Sequence, residues 1–202
     1  MNKFIVYEGL DACGKTTLSS LYAKERNSVV HSALVEEALE LRKMIDDYPS
    51  KECALLFFLM NNFLKSNEVS KALESGDVIL DRYIFSTLAY QTIMLGEDTV
   101  KKIFDTLNIA NNIILPDVIV FIKADAETIN SRIENRAGPV QWYGDAITQD
   151  TKNNVEKAYR EIFKWFDIPI VEVDTSEKFG RTEEENYQLM KGRINIALSG
   201  KS

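Results

Sequence analysis

Phe4-Ile5-Val6-Tyr7-Glu8-Gly9-Leu10-Asp11-Ala12-Cys13-Gly14-Lys15-Thr16-Thr17 passes from an apolar run, through two glycines, into residues with helical spacing. From Gly9 to Thr16 it fits G-x-x-x-x-G-K-[ST], the pattern of a phosphate-binding loop. Phe4 to Tyr7 read as a buried strand, and the two glycines permit a turn whose backbone N–H groups converge on phosphate oxygens. Lys15 brings a cation to the β and γ phosphates of a nucleotide. Thr16 can place its hydroxyl on a magnesium ion, and the helix that begins there points the positive end of its dipole at the same anion. The expected nucleotide-binding residues are therefore Gly9, Leu10, Asp11, Ala12, Cys13, Gly14, Lys15, Thr16 and Thr17.

At 202 residues, 45% apolar and 27% charged, the chain can enclose one core, and a single domain over 1–202 is expected. A net charge of −7 leaves no basic stripe for nucleic acid or for an anionic membrane, so an anion has to be bound locally. No apolar leader precedes the first strand, and no run reaches the roughly 18 apolar residues that a membrane span needs, which makes a cytoplasmic setting the expectation. Cys13 and Cys53 lack metal-ligand spacing and read as free thiols of a reducing compartment. Cys13 is either a small loop filler or a thiol made acidic by the helix start. With His31 as the one histidine, histidine metal sites and catalytic triads are nearly excluded.

Along the chain, helical and strand patterns alternate. Helices are expected over 15–25, 36–46, 51–75, 84–94, 98–109, 126–136, 150–166 and 182–198, and strands over 29–35, 77–81, 117–122 and 168–173. Ser50 is placed to cap the third of these helices, whose middle, Ala54 to Met60, is apolar on every face and implies burial in the core or against a second subunit. A homodimer is the plausible consequence. Asp81 stands at the C-terminal end of a parallel strand, where open α/β sheets bind ligands, and is the expected holder of magnesium behind Thr16. Arg132 and Arg136 lie four apart on one helical face, and the glycine, proline and aromatic segment 137–144 reads as a lid, placed near 134–150. The architecture expected is a three-layer P-loop kinase-like α/β domain, a parallel sheet of about five strands flanked by helices.

Two segments carry a resemblance. Glu8 to Thr17, together with Val78-Ile79-Leu80-Asp81-Arg82-Tyr83-Ile84-Phe85-Ser86-Thr87-Leu88-Ala89-Tyr90-Gln91, resembles the thymidylate kinase family, and the likeness runs on through Leu55-Leu56-Phe57, Pro116-Asp117 and Ile170 to Asp174. The resemblance implies ATP as phosphoryl donor, Mg²⁺, and dTMP as acceptor. It implies that Asp11 faces the acceptor sugar, that Arg82 clamps the acceptor phosphate, and that Ser86, Tyr90 and Gln91 line the base and deoxyribose pocket. Phe57 is then either the platform under the pyrimidine or plain core. Family loops without a basic residue draw a catalytic arginine from the lid, which makes Arg132 and Arg136 the candidates here.

The chain departs from the family pattern in two places. An acceptor-binding arginine is replaced by Asn61, and the arginine segment after the second strand is replaced by Val35-Glu36-Glu37-Ala38. Either Arg42, Lys43 or Lys65 supplies the missing charge, or the acceptor differs. A deoxynucleoside kinase using Glu36 or Glu37 as general base, another nucleoside monophosphate kinase, and a nucleotide-binding regulatory protein are the rival readings.

Overall fold

The structure, a computed structural model, describes residues 2–47, 50–135 and 148–200. In chain order these form β1 (Phe4–Glu8), α1 (Lys15–Glu25), β2 (Val30–Ser32), α2 (Leu39–Asp46), α3 (Lys51–Ala72), β3 (Val78–Asp81) and α4 (Ile84–Leu95). There follow α5 (Glu97–Thr106), α6 (Ile109–Asn112), β4 (Val118–Lys123), α7 (Ala126–Glu134), α8 (Gln149–Phe163), β5 (Ile170–Asp174) and α9 (Glu183–Ser199).

The strands make one parallel sheet in the order β2-β3-β1-β4-β5. β1 takes the centre because all five of its residues are buried, a pattern that needs a strand on each edge and a helix layer on each face. Ile5 sits opposite Ile79 on one side and Val118 on the other. The chain lays β3 and β2 on one side of β1 and then β4 and β5 on the other, so a crevice opens beyond the C-terminal ends of β1 and β3, where Tyr7 is in register with Asp81. α1 packs on α9, and α4 packs on both α3 and α8.

The α4–α8 contact is aromatic. Phe85 meets Phe163 and Phe166 edge-on at 6.0 and 4.9 Å, and Phe121 of β4 meets Tyr159 and Phe163 at 5.1 and 5.3 Å. Rings in these geometries gain about 0.5–1.5 kcal/mol per pair beyond their burial, and here they fix Tyr159 over the sheet.

Several expected boundaries move. The second strand keeps only Val30–Ser32, because it is an edge strand with a single neighbour. The helix expected from residue 36 starts as a 3-10 turn, Glu36–Ala38, before α2. Left-handed Asn108, with φ 47°, divides the segment expected as one helix over 98–109. The Ser50 cap forms as expected, its side chain accepting the Cys53 N–H at 3.2 Å.

Candidate active site

The phosphate loop is built by backbone constraint. Gly9 has φ +138°, and a Cβ there would lie 2.0 Å from the Ile122 carbonyl oxygen, so no other residue lets the loop pass over β4. Ala12 and Gly14 also take positive φ, 59° and 96°, which turns the backbone around an anion-sized space. Lys15 is buried; its Nζ donates to the Leu10 carbonyl oxygen at 2.6 Å and lies 4.0 Å from Asp11 Oδ1. Cys13 is fully buried, and burial pushes its thiol up in spite of the nearby Lys15 charge. It is a packed filler, not an acidic thiol.

Thr16 Oγ1 donates to Asp81 Oδ2 at 3.1 Å, while Asp81 Oδ1 is buried and has no hydrogen-bond partner among the described residues. A carboxylate oxygen left in that state costs stability unless something of opposite charge meets it. A hydroxyl beside a half-used carboxylate is a donor set for a hard, hydrated divalent cation such as Mg²⁺.

Next to Asp81, Arg82 is left-handed at φ 71°. Its N–H donates to the Tyr7 carbonyl oxygen at 2.9 Å, and the following N–H, of Tyr83, donates to Glu8 Oε1 at 2.9 Å. The guanidinium reaches three groups: Asp11 Oδ1 at 2.6 Å, Tyr159 OH at 3.2 Å and Ser86 Oγ at 3.3 Å. It also stands 5.6 Å from the centre of the Tyr90 ring.

A cavity of about 250 Å³ lies beside this arginine. Asp11, Arg82, Ser86, Tyr90 and Gln91 line it as expected from the sequence. Gln91 Oε1 is buried and unpartnered among the described residues, an acceptor that a base edge with an N–H would satisfy. Leu34, Arg42, Phe58 and Asn62 also line the cavity.

The wall corrects two expectations. Phe57 does not line the cavity; it packs with Val35 and Ala38, and its neighbour Phe58 faces the space, with the Arg42 guanidinium 4.8 Å above its ring. Successive helical residues point about 100° apart, so a register one residue off exchanges platform for core. Asn61 touches the cavity, but its amide is spent on backbone, Oδ1 accepting Val35 N–H at 3.0 Å and Nδ2 donating to the Ala33 carbonyl oxygen at 2.9 Å.

The candidate cations separate clearly. Arg42 is at the cavity, Lys43 is paired with Glu40 at 2.8 Å, and buried Lys65 is paired with Glu68 at 2.5 Å. Glu36 and Glu37 are exposed and do not line the cavity. Arg132 is not at the cavity either: it braces the phosphate loop from outside, through the Ala12 carbonyl oxygen at 3.3 Å and the hydroxyl and carbonyl oxygens of Thr175 at 3.1 and 2.9 Å. Arg136 and most of the expected lid near 134–150 fall outside the described residues. Sequence reasoning missed Glu8 and Tyr159, both fully buried beneath Arg82.

A phosphate loop at the middle of a parallel sheet, with a second cavity joined to it by an arginine, makes this chain a P-loop nucleotide kinase. The family model described as "Thymidylate kinase" matches residues 7–186, and the chain belongs to the thymidylate kinase family. A probable thymidylate kinase of Methanococcus maripaludis is 31% identical over 140 residues, 67% of each chain. Among solved structures, the thymidylate kinase of Candida albicans superposes with TM-score 0.71 at 24% identity, over 96% of this chain and 92% of that one. The deoxyadenosine kinase of M. mycoides with bound dATP superposes with TM-score 0.66 at 18% identity, over 96% and 99%. One fold thus serves nucleotide and nucleoside acceptors, and the choice between them rests on the site.

Proposed function

We propose that the protein transfers the γ-phosphoryl group of ATP to dTMP, giving dTDP. The observation that carries this reading is Arg82, bonded at 2.6 Å to Asp11 of the phosphate loop while it lines the second cavity. One guanidinium then reaches both the donor and the acceptor side of a transfer. A monophosphate is already ionised and needs no base; it needs cations around the oxygens that carry charge, in a site that excludes water. Arg82 and Arg42 line the cavity and Lys15 serves the donor, while Arg136, outside the described residues, is a lid candidate on the family resemblance alone.

On nucleotide binding, Lys15 exchanges its bond to the Leu10 carbonyl for phosphate oxygens, and the loop amides hold the β phosphate. Arg82 exchanges Asp11 for the acceptor phosphate, which leaves Asp11 to meet the sugar. Thr16 and Asp81 would hold Mg²⁺, which when bound neutralises charge on the transferring phosphate. Phe58 takes the place under the base, and Gln91 reads its edge. Glu36 and Glu37 are exposed and stand away from the cavity, so neither is placed to act as base for a nucleoside acceptor.

The same reading takes 1–202 as one cytoplasmic domain. Among the described residues no helix is long and apolar enough to cross a membrane. Leu56, Met60 and Leu64 form an exposed apolar stripe along α3 that supports a homodimer.

The test is ADP release with ATP and Mg²⁺ across nucleosides and their monophosphates. Turnover with dTMP is expected, and activity on thymidine without activity on dTMP overturns the reading.

A further inference from the structure

We infer that Glu8 and Tyr159 are positioning residues for Arg82, acting through the direction in which two hydroxyl groups point. The inference rests on the role given to Arg82 above. Glu8 ends β1, and its carboxylate is fully buried at the foot of the site. Four donors converge on it. Oε1 accepts Tyr83 N–H at 2.9 Å and Ser86 N–H at 3.3 Å; Oε2 accepts the Ser86 hydroxyl and, at 3.1 Å, the Tyr159 hydroxyl.

Ser86 Oγ and Tyr159 OH also lie 2.9 Å apart, and with two backbone N–H groups already on Oε1 the carboxylate draws the hydroxyl protons toward Oε2, either directly or with one hydroxyl donating through the other. The lone pairs of Ser86 Oγ and Tyr159 OH are then left facing outward. Arg82 Nη1 lies 3.3 and 3.2 Å from those two oxygens and donates to them. A guanidinium has no lone pair to offer, so the same two hydroxyls pointing the other way would repel it. Glu8 therefore works at one remove. It never meets Arg82 in a hydrogen bond, yet it decides whether Nη1 finds acceptors.

The arrangement also answers what happens when Asp11 is given up to an incoming phosphate. Nη2 is the nitrogen on Asp11, whereas Nη1 is the nitrogen on the two hydroxyls. One edge of the fork can change partner while the other stays anchored. The anchor spans the molecule, because Tyr159 comes from α8 and is fixed there by Phe121 and Phe163. Burial raises the Glu8 carboxyl, and the Ser86 bond, the Arg82 charge and the Tyr83 N–H work against that rise.

The test uses two near-isosteric variants, Tyr159→Phe and Glu8→Gln, with kcat and KM measured separately for dTMP and ATP. Both should lose about tenfold or more in kcat/KM for dTMP, since charge-assisted bonds are at stake. The KM for ATP should stay within about twofold, and the thermal midpoint of Tyr159→Phe within a few degrees. In an Arg82→Lys background, which lacks Nη1, Tyr159→Phe should add less than about twofold. An equal tenfold loss on both backgrounds, or a loss that follows the thermal midpoint, overturns the inference. A large Arg82→Lys loss beside unaltered Tyr159→Phe kinetics removes the inference alone. Arg82→Lys with full dTMP turnover removes the role of Arg82 and the inference together.

Discussion

The Asn61 side-chain oxygen accepts the backbone N–H of Val35 at 3.0 Å, so helix α3 holds the chain leaving the short strand β2 in place of a further sheet partner. With Nδ2 on the Ala33 carbonyl oxygen, one amide closes two backbone groups that would otherwise be orphaned at the cavity wall. Asn61→Ala should cost about 1–3 kcal/mol, chiefly from the buried Val35 N–H left unpaired, since the Ala33 carbonyl is only partly buried. Asn61→Arg, which on sequence grounds restores a missing cation, should lose stability and gain nothing with dTMP. Denaturant midpoints and KM for dTMP check both; improved dTMP use by a stable Asn61→Arg protein would show that the Val35 contact is dispensable.

Lys15 is buried with its amino group on a loop carbonyl, a charged hydrogen bond that contributes about 1.5–3 kcal/mol to folding at most, part of it offset by the burial of the ammonium. Its electrostatic role at the transferring phosphate is worth more, so Lys15→Ala should lower kcat by about a thousandfold with only a modest shift of the unfolding curve. Near-normal turnover in a folded Lys15→Ala protein would remove the phosphate-loop mechanism.

Much of this site was legible in the sequence because its chemistry is local. The loop from Gly9 to Thr17, and the run from Asp81 through Gln91, each deliver several functional groups from consecutive residues. Glu8 was legible by the same argument that picked Asp81, an acid closing an apolar parallel strand, yet it reads as part of the loop pattern. Tyr159 was not, since its partner lies 151 residues away and nothing local marks an α8 tyrosine as different from core. Phe57 and Phe58 show the limit of periodicity in a helix apolar all round: burial on every face leaves the register of the functional face undetermined until α2 and β2 are packed against it. Asn61 was placed correctly near the cavity, but that its amide serves the backbone depends on a tertiary contact.

Asp81 presents one carboxylate oxygen to Thr16 and leaves the other buried without a partner among the described residues. Asp81→Asn should raise the Mg²⁺ concentration for half-maximal velocity by about tenfold or more, by the usual loss on altering a metal-site carboxylate. Chelation should abolish turnover of the unaltered protein. A magnesium titration that does not move in Asp81→Asn would take the metal site elsewhere.

Far from the cavity, Arg160 grips Glu172 with both terminal nitrogens, at 2.5 and 2.9 Å, and Lys123 adds a contact at 3.1 Å. The Arg160 bonds hold the Glu172 carboxyl below its ordinary range. A depressed folded pKa means that the unfolded chain takes up the proton first as pH falls, so the contribution is complete above the unfolded value near about 4.3 and is lost through the folded one. For a partly exposed pair it should amount to less than about 1 kcal/mol. Glu172→Gln should therefore be slightly less stable at neutral pH and match the unaltered protein in strong acid; a gap that persists in acid would mean packing, not charge, is responsible.

Phe57 and Phe58 offer the sharpest separation of structure from binding. Adjacent in α3, one is buried against Val35 and Ala38 and the other lines the cavity under Arg42. Phe57→Ala opens a void in the smaller core and should destabilise by about 3–5 kcal/mol. Phe58→Ala loses only a half-exposed ring from the fold but takes away the face on which the pyrimidine would stack, a contact worth about 1–3 kcal/mol per base. It should raise KM for dTMP about tenfold or more, leave KM for ATP alone, and shift the thermal midpoint little. If instead Phe57→Ala proves the binding variant and Phe58→Ala the unstable one, the helix is rotated from the position described here and the acceptor pocket must be redrawn around Phe57.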